Sequence, residues 1–204
     1  MNAVGKEVTI GVLALQGAFR EHVRMLEKLG VRAVEVRLPE QLEDLDGLII
    51  PGGESTTMGK LMEEYGLTAP LREFMTKRPV FGTCAGLIML ATGTTEGEQP
   101  LLATMDVVVC RNAFGRQVHS FEAPVELYLP EDTLEDFPGV FIRAPWVASC
   151  GDGVEVIARC EDQVVGVKQD NLLAVAFHPE LTGDTRLHEY FVQMVRQSAC
   201  ASCS

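Results

Sequence analysis

The first half of the chain alternates short apolar runs with amphipathic segments. Residues 9–15 are apolar at nearly every position, which is typical of a strand buried on both faces of a parallel sheet. Residues 19–29 then show the apolar spacing of a helix that stops at Gly30. Further strands are predicted at 31–38, 48–50 and 80–81, and helices at 58–64 and 70–77. This order predicts an α/β fold with a doubly wound, mostly parallel sheet flanked by helices.

The second half contains short strand-like segments without long helices between them. They are 105–110, 117–122, 125–129, 140–143, 154–159, 164–169 and 172–177. A helix with an apolar stripe is predicted at 184–197. Because no repeat, low-complexity segment or linker is evident, we expect residues 1–204 to form a single domain, with frayed ends at 1–6 and 198–204.

Charge and composition narrow the classes of partner. The 204 residues carry a formal net charge of −12, with 47% hydrophobic and 23% charged residues, a soluble globular profile. The acidic balance argues against nucleic acid and anionic membrane as partners. No apolar run approaches the ~20 residues that span a bilayer, and the first apolar run is interpreted as a strand rather than a signal peptide. We therefore expect a cytoplasmic protein without a membrane segment.

The six cysteines do not indicate a disulfide framework, because the chain is large and has no secretory signal. Cys110, Cys150 and Cys160 are interpreted as small core or edge residues. Cys200 and Cys203 form a C-x-x-C near the end of the chain, but no second ligand pair accompanies it, so we expect no metal site there. No cofactor site is recognisable elsewhere, and we expect none.

Cys84 is different because it stands in the turn Gly82-Thr83-Cys84-Ala85-Gly86, between a short apolar strand and an apolar helical start. Small residues on both sides let the strand and the helix approach, and such a turn holds its central residue at a strained backbone position. The N-terminus of the following helix favours a thiolate over a thiol. The alternative, a buried cysteine in an ordinary turn, is disfavoured by the bracketing glycines. Cys84 is therefore predicted to be a nucleophile.

A cysteine nucleophile needs a base, and His178 is the candidate. It ends an apolar strand and stands two residues before Glu180. Pro179 keeps His178 extended, and in an extended chain residues i and i+2 share a face, so Glu180 can orient the imidazole. Cys84, His178 and Glu180 are thus predicted to be nucleophile, base and orienting carboxylate.

The other three histidines show no such context. His22 and His188 lie within helical patterns with charged neighbours, and we interpret them as surface or helix-face residues. His119 lies in a polar strand-like segment.

Three loops are predicted to converge near Cys84, since ligands bind beyond the carboxyl ends of parallel strands. They contain Gln16-Gly17, Gly52–Ser55 and Cys84 itself. The Gly52–Ser55 loop lacks the spacing of a phosphate-binding loop. It suits a turn whose backbone N–H groups face the reacting centre, and we predict an oxyanion hole from the N–H groups of Gly53 and Ala85.

Several longer motifs carry a family resemblance. The PGGE loop at 51–54, the GTCAG turn at 82–86 and the HPE at 178–180 resemble class I glutamine amidotransferases, the triad glutaminases. Within that class, the chain resembles the glutaminase subunit of pyridoxal 5'-phosphate synthase. The matching stretches are LQGA at 15–18, REH at 20–22, PGGESTT at 51–57, FGTCAGLIML at 81–90, RNAFGRQ at 111–117, VFIRAP at 140–145 and FHPELT at 177–182. The resemblance extends from Gly11 to about Arg196 and implies flavodoxin-like layers.

The resemblance implies that the chain hydrolyses L-glutamine to glutamate and ammonia. The ammonia would serve a synthase subunit in a hetero-oligomeric complex, and that partner would make pyridoxal 5'-phosphate from a pentose phosphate and a triose phosphate. The cofactor itself is not expected on this chain. The family pattern implies glutamine contacts at Gly53, Glu54, Ser55, Arg111, Ile142 and Arg143. For Arg111 and Arg143, the alternative from the residues alone is a surface ion pair in an acidic protein.

Two competing functions remain open on the residues alone. One is a different cysteine hydrolase on a related fold, which the PGGEST and VFIRAP stretches disfavour. The other is a catalytically silent subunit that only stabilises a partner, which the intact Cys84, His178 and Glu180 disfavour. For an active glutaminase, we further hypothesise gating by a flip of the Gly52-Gly53 peptide. The synthase would dock across Gln16-Gly17 and the helix from Phe19 through His22.

Overall fold

The computed structural model describes residues 7–111, 120–130 and 132–201. The helices are α1 Phe19–Lys28, α2 Ser55–Glu64, α3 Thr68–Met75, α4 Ala85–Leu90 and α5 Arg186–Ala201. The strands are β1 Thr9–Leu13, β2 Arg32–Val36, β3 Gly47–Ile50, β4 Val80–Thr83, β5 Ala91–Thr94, β6 Met105–Cys110, β7 Ser120–Leu129, β8 Asp132–Ile142, β9 Trp146–Cys150, β10 Glu155–Cys160, β11 Gln163–Gln169 and β12 Leu172–Val175. Short 3-10 helices occur at Pro39–Leu42 and Pro179–Leu181.

A nine-stranded sheet in the order β2-β1-β3-β4-β12-β11-β10-β7-β8 forms the centre of the molecule. Strands β2, β1, β3, β4 and β12 pair in parallel, which confirms the parallel α/β sheet expected from the first half of the chain. The strands β11, β10, β7 and β8 continue it in antiparallel pairs. The sheet is therefore mixed, with its parallel part on one side.

The parallel strands are continuous apolar runs because they are covered on both faces. Every residue of β3, β4 and β12 is buried. Their carboxyl ends lead directly to Pro51, Cys84 and the segment before His178. The topology thus brings the loops that carry the predicted site residues to one edge of the sheet, as the crossover rule for such sheets requires.

A separate three-stranded sheet, β5-β6-β9, was not foreseen from the sequence. Of its strands, only β6 was predicted. The strands predicted at 117–122 and 125–129 correspond to the single strand β7, which runs through Pro124, and the strand predicted at 140–143 is the end of the longer β8. Residues 117–119 lie outside the described part of the chain.

The end of the chain differs from the expected frayed tail. Helix α5 continues past Gln197 to Ala201, and Ala199 is buried. Its last turn is therefore held by packing rather than frayed. Residues 1–6 and 202–204, including Cys203, lie outside the described residues. No helix in the described ranges is long and apolar enough to cross a membrane.

Candidate active site

Cys84 occupies the turn between β4 and α4 with φ 49° and ψ −102°. A positive φ is uncommon for a residue with a side chain and is maintained only by the surrounding packing. The flanking glycines allow that packing. A Cβ atom on Gly86 would lie 2.1 Å from the carbonyl oxygen of Ile50, and one on Gly82 would lie 2.7 Å from the backbone of Gly86. The strained turn and its close approach agree with the expectation from the sequence.

His178 and Glu180 are joined by a hydrogen bond of 2.7 Å between Nδ1 and Oε1. The predicted pair is therefore present, but its geometric reason was wrong. Pro179–Leu181 form a 3-10 helix rather than extended chain, and His178 has φ −110° and ψ 81°. The turn, rather than a shared strand face, brings the carboxylate back to the imidazole.

The environment of His178 favours a charged imidazolium. Burial alone would lower its pKa, but hydrogen bonds to Cys84 and Glu180, together with their negative charges, raise the pKa of His178 to about 10. The cysteine, histidine and glutamate thus form one interacting set. Cys84 and His178 are 5% and 6% exposed, and Glu180 is 5% exposed, so the set is shielded from bulk water.

Two histidines that we interpreted as surface residues are fully buried, which corrects that interpretation. His22 and His188 both have no exposed surface, and their rings meet with Nδ1 of His22 2.9 Å from Nε2 of His188. Nε2 of His22 lies 3.4 Å from Oε2 of Glu180. Charged neighbours in sequence misled the interpretation because they occupy other faces of α1 and α5. His119 lies outside the described residues.

The glycine turn is held by the loop between β1 and α1. The N–H of Ala18 donates to the carbonyl of Gly52 at 3.0 Å, and Oε1 of Gln16 accepts from the N–H of Glu54 at 2.8 Å. Since a trans peptide points its C=O and N–H in opposite directions, the N–H of Gly53 points away from Ala18. The turn and the β1–α1 loop therefore behave as one packed unit.

A cavity of about 250 Å³ opens beside Cys84. Its walls include the six residues that the family pattern assigns to glutamine, together with the predicted nucleophile and base. Two further side chains, Gln16 and Ile88, had not been assigned to a substrate. The full lining is Gln16, Gly53, Glu54, Ser55, Cys84, Ile88, Arg111, Ile142, Arg143 and His178. The structure thus brings together residues from separate parts of the chain.

Glu54 has an additional role that the sequence did not reveal. It is the N-cap of α2, and its carboxylate accepts hydrogen bonds from the backbone N–H and side-chain hydroxyl groups of Thr56 and Thr57. Partial burial alone would raise its pKa, but these hydrogen bonds lower the pKa of Glu54 to about 2. Glu54 therefore presents a fixed negative charge at the cavity.

The two arginines at the cavity, Arg111 and Arg143, differ in their contacts and in their backbone conformation. Arg111 donates from Nη1 to Oε1 of Gln99 at 2.7 Å, and its Nη2 lies 4.0 Å from Oε1 of Glu54. Arg143 is exposed and has φ 44°, a backbone conformation that is uncommon for a residue with a side chain. Gln99 was missed by sequence reasoning, since nothing in its local pattern indicates a contact with Arg111.

An α/β fold with cysteine, histidine and glutamate side chains assembled at the carboxyl edge of its parallel strands is the architecture of the triad glutamine amidotransferases. The chain belongs to the SNO glutamine amidotransferase family, which it matches over residues 12–197. This confirms the family resemblance. Among the described residues, no group of three or more His, Cys, Asp or Glu side chains is arranged to hold a metal ion.

Individual relatives cover nearly the whole chain. It is 54% identical over 187 residues to the pyridoxal 5'-phosphate synthase subunit PdxT of Carboxydothermus hydrogenoformans, covering 91% of this chain and 97% of the relative. It is 52% identical over 194 residues to PdxT of Geobacillus kaustophilus, covering 95% and 97%.

Solved structures agree on the fold. One described as a glutamine amidotransferase superposes with a TM-score of 0.85 at 52% identity, covering 91% of this chain and 98% of the other. The structure of PurLQS from Thermotoga maritima, at 15% identity, has a TM-score of 0.68 and covers 97% of this chain and 100% of the other. At that identity the likeness concerns the fold alone.

Proposed function

We propose that this protein is the glutaminase subunit of a pyridoxal 5'-phosphate synthase. It hydrolyses L-glutamine to L-glutamate and ammonia and delivers the ammonia to a synthase subunit. The observation that carries the proposal is the interacting set of Cys84, His178 and Glu180, opening onto a cavity that contains the expected glutamine contacts. Family membership and PdxT relatives at above 50% identity support the same function.

Acylation begins at Cys84. Its thiolate attacks the side-chain amide carbon of glutamine, forming a C–S bond and a tetrahedral oxyanion. The imidazolium of His178 then gives its proton to the amide nitrogen, the C–N bond breaks, and ammonia leaves a glutamyl thioester. Glu180 accepts a hydrogen bond from Nδ1 of His178, so that Nε2 is the ring nitrogen that transfers the proton. The high pKa of His178 supports an imidazolium that is ready to donate.

Deacylation uses the same residues in reverse. Neutral His178 takes a proton from water, which attacks the thioester carbon, and the C–S bond breaks to release glutamate and restore the thiolate–imidazolium pair. In both steps the negative oxygen would be held by the N–H groups of Gly53 and Ala85. The orientation of the Gly52-Gly53 peptide, with its carbonyl on Ala18, leaves the Gly53 N–H on the other side and is compatible with this role.

The cavity offers complementary charge for the two ends of glutamine. The guanidinium groups of Arg111 and Arg143 suit the α-carboxylate. The carboxylate of Glu54 and the backbone carbonyl of Ile142 suit the α-ammonium group. Ser55, whose hydroxyl lies 3.3 Å from Oε1 of Gln99, and Gly53 complete the contacts that we assign to the substrate.

We further propose that the protein acts in the cytoplasm as a single domain. Its first apolar run forms β1, a strand between two neighbours within the parallel sheet, which supports a structural role for that run rather than a targeting role. No cofactor takes part in the proposed chemistry.

Ammonia release from glutamine, measured with and without the synthase subunit, tests the function. Wild-type protein should release ammonia in the complex, and Cys84→Ala should abolish it while the fold remains intact. Glu180→Gln should reduce kcat less than His178→Asn, because an orienting group is less costly to lose than the base. A Cys84→Ala variant with near-wild-type ammonia release would remove Cys84 from the mechanism. A wild-type complex without any ammonia release would favour the alternative of a catalytically silent subunit.

A further inference from the structure

Behind the triad, His22, Thr83 and His188 form a buried polar cluster that the proposed mechanism does not use. All three have no exposed surface. His22 is central, because its two ring nitrogens face opposite partners. Nδ1 lies 2.9 Å from Nε2 of His188, and Nε2 lies 3.1 Å from Oγ1 of Thr83 and 3.4 Å from Oε2 of Glu180.

The second carboxylate oxygen of Glu180 is the reason that this cluster matters. Oε1 is engaged by His178. Oε2 is buried and has no hydrogen-bond partner within ordinary hydrogen-bond geometry among the described residues. A buried carboxylate oxygen without a donor is strongly unfavourable. His22 Nε2, at 3.4 Å, is placed to relieve this by donating to Oε2 with a small adjustment.

The tautomers of the two histidines follow from the contacts. Burial, together with the charges of His188 and His178, holds the pKa of His22 well below its usual range, and burial lowers the pKa of His188 to about 4. Each ring is therefore neutral near pH 7 and carries one N–H. Nδ1 of His188 has no partner in the described part of the chain. We therefore assign the single N–H of His188 to Nε2, where it can donate to Nδ1 of His22.

That assignment places the proton of His22 on Nε2. Nδ1 of His22 then accepts from His188, and the Nε2–H has two acceptors nearby, Oγ1 of Thr83 at 3.1 Å and Oε2 of Glu180 at 3.4 Å. The reverse assignment would set a lone pair of Nε2 against the Glu180 carboxylate, which is repulsive. The cluster thus has one consistent direction of donation, from His188 through His22 to Glu180.

We propose that His22 is a positioning residue for the triad, whose Nε2–H donates to Oε2 of Glu180 and holds the carboxylate in place for His178. His188 sets the tautomer of His22 that makes this donation possible. This inference rests on the proposed function and deepens it. Helix α1, which carries His22, lies against the 3-10 turn of Pro179–Leu181 that carries Glu180.

Loss of the His22 Nε2–H should leave the Glu180 carboxylate less firmly positioned and so weaken its hydrogen bond to His178. The imidazolium would then be less stabilised, and the thiolate–imidazolium pair would form only at higher pH. Because His22 does not line the cavity, KM for glutamine should stay nearly constant while kcat falls. The other charged groups around the cavity, Glu54, Arg111 and Arg143, are the same in every variant, so a difference between variants reports on His22.

Two substitutions form a matched pair. In His22→Gln the amide nitrogen can stand where Nε2 stands in histidine, and in His22→Asn it can stand only where Nδ1 stands. Both replacements are polar and uncharged, but only glutamine can donate toward Glu180. Met25→Ala, a change to another buried residue of α1, serves as the control for general loss of packing.

The first readout is the pH dependence of Cys84 alkylation by iodoacetamide on the full chain. The pH of half-maximal alkylation should rise by about half a unit or more in His22→Asn and stay near wild type in His22→Gln, since one unit corresponds to a tenfold change in the equilibrium. The second readout is glutaminase kinetics in the complex. His22→Asn should lose about tenfold in kcat, which is on the order of the loss seen when the hydrogen-bond partner that orients a metal-binding histidine is removed.

Met25→Ala should lower Tm without moving the alkylation profile. Equal profiles and kcat values for His22→Asn, His22→Gln and wild type would overturn the proposal. So would an equal loss in both variants, because donation from the Nε2 position would then not be what matters. If the wild-type complex releases no ammonia, the proposed function fails, but the alkylation comparison still decides the role of His22.

Discussion

Gly52 lies against the edge of the His178 imidazole. A Cβ atom on Gly52 would lie 2.3 Å from Cε1 and 3.0 Å from Nδ1 of that ring, and 3.3 Å from Cβ of Cys84. Glu180 engages Nδ1, so the ring is located from two sides and its Nε2 is left for Cys84. A glycine in the turn after β3 therefore helps to position the imidazole of His178, the proposed base, which lies in the segment after β12.

Gly52→Ala should displace the His178 ring, because backbone, carboxylate and cysteine surround it and leave no room for a methyl group. A misplacement of about 1 Å between reacting groups can cost about 10² in rate, so we expect kcat for ammonia release to fall at least that far. Gly183→Ala, where a Cβ would meet nothing within 4 Å, is the control and should retain activity. Comparable kcat for the two variants would contradict this packing argument.

The backbone strain at Cys84 should be measurable as stability. Positive φ at a residue with a side chain costs about 1–3 kcal/mol, and glycine avoids it at an entropic cost of about 0.5–1 kcal/mol. Cys84→Gly should therefore be more stable than Cys84→Ala by about 1 kcal/mol, although both are inactive. Urea unfolding of the two variants measures the difference. A glycine variant that is the less stable of the two would show that the turn is not strained.

Arg111 and Arg143 should affect substrate binding more than thiol reactivity. Replacing either with alanine should raise KM for glutamine, since each guanidinium is expected to hold the α-carboxylate. Alkylation of Cys84 by a small neutral reagent should change little. If both variants keep the wild-type KM, the surface ion-pair interpretation returns, and the 4.0 Å contact of Arg111 with Glu54 becomes its main role.

Ammonia release should depend on the synthase subunit. The Gly52 carbonyl is held by the N–H of Ala18 at 3.0 Å, which is the orientation compatible with an oxyanion hole. The gating hypothesis therefore requires that the isolated chain also adopts the flipped Gly52-Gly53 peptide, and that a partner docked at the start of α1 stabilises the orientation seen here. The synthase is expected to dock across Gln16-Gly17 and the first turn of α1. Since His22 is buried, the part of this surface that a partner can reach consists of exposed residues such as Gly17 and Arg20.

Loss of one oxyanion donor costs ~10²–10³ in rate, which sets the scale of the expected activation. Assays at saturating glutamine, with and without the synthase subunit, measure it as a change in kcat. Equal kcat in both conditions would refute the gating hypothesis and leave the triad unaffected.

Acid should destabilise the protein partly through His188. Burial lowers its pKa in the folded state to about 4, whereas an unfolded histidine titrates near 6.5. Between these values the unfolded chain binds more protons, so the free energy of unfolding falls as pH falls through this window. The shift corresponds to about 3 kcal/mol.

His188→Leu should remove most of that loss, so urea unfolding at pH 7.5 and pH 4 should show a smaller decrease than in wild type. Carboxylates that titrate in this range are common to both proteins and cancel in the comparison. The same decrease in both proteins would mean that His188 is not a buried neutral histidine.

Local patterns were sufficient for much of the fold and for the centre of the site. The parallel strands were predictable because strands buried on both faces must be continuous apolar runs. The turn at Cys84 was predictable because only small residues permit its close approach. His178 and Glu180 are near neighbours in sequence, so their contact could be predicted even though the backbone between them forms a 3-10 helix rather than extended chain.

The sequence by itself therefore determined the class of fold, the turn that holds Cys84 and the pairing of His178 with Glu180. Only the tertiary structure decided that the sheet continues in antiparallel strands, that Gln99 contacts Arg111, and that His22 and His188 meet behind Glu180. Helical periodicity indicates which face of a helix is apolar, but it does not indicate which distant segment covers a polar residue on that face. The contact between His22 and His188 joins positions 166 residues apart, and it exists because packing of α1 and α5 against the sheet removes both rings from water.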